Sequence, residues 1–310
     1  MASLRSHVMR FLSGQVMRRS KIATDPVAAR HDFEFRMTRL PMARGVTASQ
    51  ESIDGVDCTW LVPDGCGDAP LLYFLHGGAY IVGSPATHRR LVSFIAKSAG
   101  MRAVLPDYRL APEHRYPSQL EDSLTVWRAL MKSGFDPQRM AIAGDSAGGN
   151  LSVATMLSLR DAGESLPAAA VLISPWLDLA GDGGSHHTRA RYDPWFKPEK
   201  MPALVAGFCD ESQIRDPLVS PIHADVTGLP PTLIQVGDHE ILLSDSTRIA
   251  DNIRAAGGRV DLHIWPDMWH VFQYFIGQMP ESRKAIDDIG RFLRSEFSTD
   301  RKDLERARAA

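Results

Sequence analysis

The sequence predicts an α/β fold with a mostly parallel central sheet and helices on both faces. Three observations predict it. After residue 45, strand-like and helix-like segments alternate along the chain. The strands read as short, nearly continuous apolar runs, which marks strands buried on both faces. A glycine stands just past the helix ends, where the chain must turn out of the helix.

The elements follow in order. TASQESI and CTWLVPD read as an early antiparallel pair. LLYFLHGG is an apolar run closing in glycines. HRRLVSFIAKSAG reads as a helix stopping at Gly100, MRAVLPDYR as a strand, and PSQLEDSLTVWRALMKSG as a helix closing at Gly134. MAIAGDS, GGNLSVATMLSLRDAG and AAAVLISPW continue as strand, helix and strand. From Asp178 to about Pro230 the rhythm breaks, and no clean strand is visible. An excursion of this size is usually functional or helical in its own right, so short helices walling a pocket are expected there. PTLIQVGDH, SDSTRIADNIRAAGG, RVDLHIWPD and ESRKAIDDIGRFLRSEF complete the series. The tail DRKDLERARAA reads as a solvated helix end or a frayed terminus.

Before residue 45, Leu4, Val8, Phe11, Leu12 and Val16 fall at helical spacing, which suggests an amphipathic helix. It could pack on the domain surface, form a lid over an active site, or rest on an anionic membrane surface through Arg5, Arg10, Arg18, Arg19 and Lys21.

Composition excludes several classes. The chain has 310 residues, 44% of them hydrophobic, enough for one large domain or two small ones. A net charge of -2 gives no reason to expect a nucleic-acid or acidic-membrane partner. No segment approaches the ~18 apolar residues of a membrane helix, and the N-terminus lacks an uninterrupted signal-peptide core. The three cysteines, Cys58, Cys66 and Cys209, match no zinc spacing. They fit a reducing cytoplasm, although the count alone does not exclude a Cys58–Cys66 bridge.

In such open sheets ligands bind beyond the carboxyl ends of the strands, and the chemistry-bearing motifs lie there. Gly144-Asp145-Ser146-Ala147-Gly148 matches G-x-S-x-G at a strand-to-helix join, the setting of a nucleophile elbow. The helix that follows aims its N-terminal N–H groups at developing negative charge. LHGGAY, ending the first long apolar strand, matches an oxyanion loop: Gly77 and Gly78 would donate two N–H bonds and Ala147 a third. His76 is expected to shape that loop rather than act as a base. A serine needs a base, and in the chain order Ser…acid…His the base comes last. His270, in DMWHVF after the last strand, is that histidine. His263 lies inside the strand and is expected to point into the sheet's packing. His239 and His223 come before it, and His186 and His187 lie in the irregular segment.

These pieces resemble the hormone-sensitive-lipase-like esterases, bacterial family IV of the α/β-hydrolase fold, over roughly residues 45 to 295. HGGAY, GDSAGG and YRLAPEHRYP (Tyr108 to Pro117) carry the resemblance. It implies a helical N-terminal cap over residues 1–45 and an α/β-hydrolase catalytic domain over 46–310, with a cap-like excursion at about 178–230. It implies a small acyl ester as substrate, with no metal and no organic cofactor, and dimers are common in the family. Arg109 and Glu113 would brace an element behind the oxyanion loop. One departure stands out: where the family shows D-P-L-x-D, this chain has E-I-L-L-S-D, Glu240 to Asp245. The motif's first aspartate falls on Glu240, which is the first choice for the triad acid. Asp238 is the rival, and Asp245 has the more ordinary role of a helix start.

The expected activity is serine carboxylester hydrolysis by Ser146, His270 and Glu240, with Trp195, Phe196 and Trp176 bounding the pocket. Lactones, amides or carbamates are the alternative substrates, since one triad serves all of them. A non-catalytic receptor on this scaffold is disfavoured by the presence of His270. A dehalogenase or epoxide hydrolase would place aspartate at the elbow.

Overall fold

A computed structural model describes residues 2–298; the expected helix end or frayed tail lies outside them. Two helices come first, α1 (Leu4–Arg18) and α2 (Pro26–Met37). Ser3 caps α1 and Asp25 caps α2, each accepting an N–H of the first turn. Strands β1 (Val46–Ile53) and β2 (Val56–Pro63) form the expected antiparallel hairpin.

The alternating series then follows: β3 (Leu71–Leu75), α3 (Pro85–Ala99), β4 (Arg102–Pro106), α4 (Ser118–Lys132), β5 (Met140–Asp145), α5 (Ala147–Asp161) and β6 (Ala169–Ile173). Between residues 178 and 230 lie α6 (Ser185–Thr188), α7 (Met201–Phe208) and short 3-10 turns. The series closes with β7 (Thr232–Gly237), α8 (Leu243–Ala255), β8 (Val260–Trp265) and α9 (Pro280–Glu296).

Among the described residues, eight strands form one sheet in the order β1-β2-β4-β3-β5-β6-β7-β8. From β4 to β8 all neighbours are parallel. The two-residue period of a strand splits the core. Leu71, Tyr73 and Leu75 join Ile142, Leu172 and Ile234 on one face, under α4, α5 and α8. Leu72 and Phe74 join Ala141, Val171 and Leu233 on the other, under α3 and α9. Each such leucine, isoleucine, valine or phenylalanine, once buried, contributes roughly 1.5–3 kcal/mol.

The chain leaves β3 for β4 on one side and returns to β5 on the other. That reversal opens a crevice at the carboxyl ends of β3 and β5. The register pairs Leu75 with Gly144, so HGGA and GDS emerge side by side.

Two expectations change. β8 is the edge strand, so His263 is half-buried rather than packed in the sheet, and Ile264 is exposed. In α1 the apolar stripe faces outward: the buried residues are Ser6, Ser13 and Gly14, while Leu4, Val8, Phe11, Leu12 and Val16 are exposed. The open question of a Cys58–Cys66 bridge closes, because all three cysteines are free thiols.

Candidate active site

The turn from β5 into α5 holds Ser146 at φ 53°, ψ -121°, a conformation that side chains rarely adopt. Surrounding contacts enforce it. The Ser146 N–H donates to the Ile173 carbonyl at 2.9 Å, and the Trp176 N–H donates to the Ser146 carbonyl at 3.1 Å. The glycines permit the crossing. A Cβ on Gly144 would stand 2.1 Å from the Gly148 carbonyl oxygen, and one on Gly148 would stand 2.0 Å from that of Leu75. Ser146 occupies the N-cap of α5, yet its hydroxyl caps nothing, which leaves it available for chemistry.

The loop after β3 takes a course that corrects one expectation. The Gly77 N–H is not free: it donates to Asp145 Oδ1 at 3.0 Å. A Cβ at Gly77 would also meet Asp145 Oδ2 at 2.3 Å, so this glycine serves close approach to the elbow. The chain then passes through positive φ at Gly78 (126°), Ala79 (55°) and Tyr80 (64°). Among the described residues, no acceptor takes the N–H of Gly78 or Ala79. The Ala147 N–H opens α5, where first-turn donors have no intrahelical partner. Ala79 was missed in the sequence because it is not glycine; only its backbone matters.

His76 is fully buried, its ring stacked on Tyr108 at 4.1 Å between centroids. Its Nδ1–H donates to the Gly77 carbonyl at 2.9 Å, and the Tyr108 hydroxyl donates to the His76 carbonyl at 2.5 Å. Burial pushes its pKa down to about 3, so it stays neutral and shapes the loop. Behind it, His88 Nε2 lies 3.3 Å from Asp145 Oδ1 and contacts the Tyr274 hydroxyl. Burial raises the Asp145 carboxyl, but His88, the Gly77 N–H and His76 together draw it below the ordinary range. This network ties the elbow to the oxyanion loop.

At the carboxyl ends of β7 and β8, His270 Nδ1 lies 2.9 Å from Glu240 Oε2. A carboxylate only accepts, which assigns the proton to Nδ1 and leaves Nε2 free to act as a base. The other oxygen, Oε1, accepts from the Ser174 hydroxyl at 2.8 Å and the Gly237 N–H at 2.5 Å. Ser174 also receives the Val271 N–H at 3.2 Å, so it links the acid to the histidine loop. Both rivals are engaged elsewhere. Asp238 accepts the Asp267 N–H at 2.7 Å. Asp245, in the first turn of α8, receives the Leu177 and Asp178 N–H groups at 2.8 and 2.9 Å.

Phe196 and Trp195 meet the His270 ring edge-on, at 4.8 and 5.9 Å between centroids. Asp193 sets that pair, a role invisible in the sequence. Its Oδ1 accepts the N–H groups of Trp195 and Phe196, and its Oδ2 accepts that of Ile241, next to Glu240. Trp176 is buried behind Ser146, and Asn150 holds its carbonyl at 2.8 Å. Arg109 forks onto Asp122 of α4, so it braces its own segment. Glu113 pairs instead with Arg30 of α2, which also donates to the carbonyls of Ile81 and Ala111 at 2.7 Å each. Two surface hollows lie elsewhere, one by Asp68 and Phe135 and one by Glu51 and Asp107, and neither touches Ser146.

Fold and site together define an α/β-hydrolase, and a family model described as alpha/beta hydrolase fold matches residues 72–274. An acetyl-hydrolase of Streptomyces hygroscopicus is 42% identical over 228 residues, covering 74% of this chain and 76% of its own. An esterase of Acinetobacter venetianus is 38% identical, covering 73% and 75% respectively. A crystal structure of an esterase from the bacterial hormone-sensitive lipase family aligns with a TM-score of 0.91 at 38% identity, over 96% of this chain and 100% of that one. The chain belongs to this bacterial hormone-sensitive-lipase-like family.

Proposed function

We propose that this carboxylic ester hydrolase works through Ser146, His270 and Glu240 on short-chain acyl esters. The Glu240–His270 hydrogen bond carries the assignment, because it reserves Nε2 of His270 for the serine proton. Ser146 attacks the ester carbonyl as His270 takes its proton. The N–H groups of Gly78, Ala79 and Ala147 receive the oxyanion, and such donors are worth roughly 2.7–4 kcal/mol each. His270 then protonates the leaving alcohol, and water repeats the cycle on the acyl-enzyme. Glu240 holds the tautomer and stabilises the imidazolium.

In this reading residues 1–45 form a cap over the catalytic domain, and Trp195 and Phe196 shorten the acyl pocket. A fluorophosphonate probe should label Ser146 in the wild type only, and Ser146→Ala should remain folded without hydrolysing p-nitrophenyl butyrate. Turnover by Ser146→Ala at the wild-type rate would overturn the assignment.

A further inference from the structure

Helix α1 is turned inside out. Its inner face is made of small residues: Ser6, Ser13 and Gly14 are buried, and the Gly14 backbone comes so close that a Cβ there would lie 3.3 Å from Pro194. The contact is specific. Ser3 meets both carboxylate oxygens of Glu281 through its N–H and hydroxyl, the Ala2 N–H reaches Asp267, and the Arg10 guanidinium holds the Tyr192 carbonyl. Met9 joins Trp195 in a shared apolar cluster. The helix is therefore seated on the domain with its apolar stripe facing away from it.

That stripe is continuous. Val8 lies four residues after Leu4, Phe11 and Leu12 lie three and four after Val8, and Val16 lies four after Leu12; Leu4 and Phe11 are 80% and 64% exposed. Contiguous apolar surface of this kind marks an interaction site. The face is also basic. At 100° per residue, Arg18 borders Phe11 at one edge, and Arg5 falls between Leu12 and Val16, within the stripe. From Ala2 to Thr24 the chain has Arg5, Arg10, Arg18, Arg19 and Lys21 and not one Asp or Glu, although the whole chain is net -2. Among the described residues, none of Arg5, Arg18, Arg19 or Lys21 meets a carboxylate, whereas arginines elsewhere on the surface commonly do. An exposed apolar face that also carries unpaired cations matches an anionic lipid surface, in which side chains enter the acyl boundary and guanidinium groups meet headgroups.

We infer that α1 docks this protein reversibly on anionic lipid surfaces through Leu4, Val8, Phe11 and Leu12, with Arg5, Arg18, Arg19 and Lys21 on the headgroups. Docking presents the Trp195 side of the molecule, one layer from His270, to that surface.

The test uses the full chain and co-sedimentation with vesicles of phosphatidylglycerol and phosphatidylcholine, or of phosphatidylcholine alone. Binding should require phosphatidylglycerol and fall at least about tenfold when salt is raised from about 0.05 to about 0.5 M. Leu4→Ser with Phe11→Ser, and separately Arg18→Gln with Arg19→Gln, should each weaken binding about tenfold, with p-nitrophenyl butyrate turnover in solution within about twofold of wild type. Absence of binding to anionic vesicles at low salt would overturn the inference. So would undiminished binding by the Leu4/Phe11 variant. A third overturning result is sedimentation velocity showing a dimer that this variant dissociates, with no vesicle binding, because the stripe would then join two copies of the chain.

Discussion

β3 buries every one of its five residues, whereas α1 buries only Ser6, Ser13 and Gly14 and leaves its leucines and phenylalanine in solvent. Both segments carry a clear apolar pattern. The difference is that β3 has partners on both sides, β4 and β5, and helices on both faces. α1 meets the domain through a close backbone approach that only small residues permit. Periodicity identifies an apolar face; the shape of the neighbouring surface decides where that face points.

The largest effect should come from the site itself. Glu240→Gln keeps an acceptor for Gly237 but loses control of the His270 tautomer, so we expect kcat to fall roughly 10³–10⁴-fold, about 4–5.5 kcal/mol. Asp238→Asn should change kcat less than about threefold, within the range of a surface substitution. Reversal of that order in steady-state assays would reassign the acid.

Truncating one leucine in each region separates β3 from α1. Leu72→Ala removes a buried side chain from the sheet and should cost about 2–5 kcal/mol in denaturant unfolding. Leu12→Ala in α1 should stay within about 0.5 kcal/mol. Similar losses at both positions would show that the α1 stripe is covered in the folded protein.

A pH-dependent effect is intermediate between these two. His76 is held neutral by burial, its pKa lowered to about 3. Because the folded pKa is below the unfolded one of about 6.5, its contribution is complete above that pH and declines as pH falls. The stability advantage of wild type over His76→Asn should therefore shrink by up to about 1.4 kcal/mol per pH unit between roughly pH 6 and 4. An advantage that stays constant over that range would mean His76 takes up its proton in the folded protein.

Much of this was legible in the chain. The parallel sheet followed from apolar runs such as LLYFL and AAVLI, and the place of Ser146 from a G-x-S-x-G at a strand-to-helix join. Glu240 could be ranked by register against the family motif, but only its distance from His270 separates it from Asp238, two residues away. Gly77 was misread because bare N–H groups look alike in sequence, and the Asp145 carboxylate that occupies this one comes from 68 residues further on. Ser174 and Asp193 were missed for a similar reason. Each acts through bonds to segments far away in the chain, and neither carries a motif of its own.

Arg30 has a consequence for any shortened form of this protein. One guanidinium on α2 grips the carbonyls of Ile81 and Ala111 and the Glu113 carboxylate, so it rivets α2 to the loop between β3 and α3 and to the loop after β4. A chain trimmed to the residues that match the family model would begin at residue 72, without it. Such a fragment would still spell every catalytic motif. It would lack one of the holds on the segment just beyond Gly78 and Ala79, so trimming for expression or for fusion to another domain should leave α2 attached.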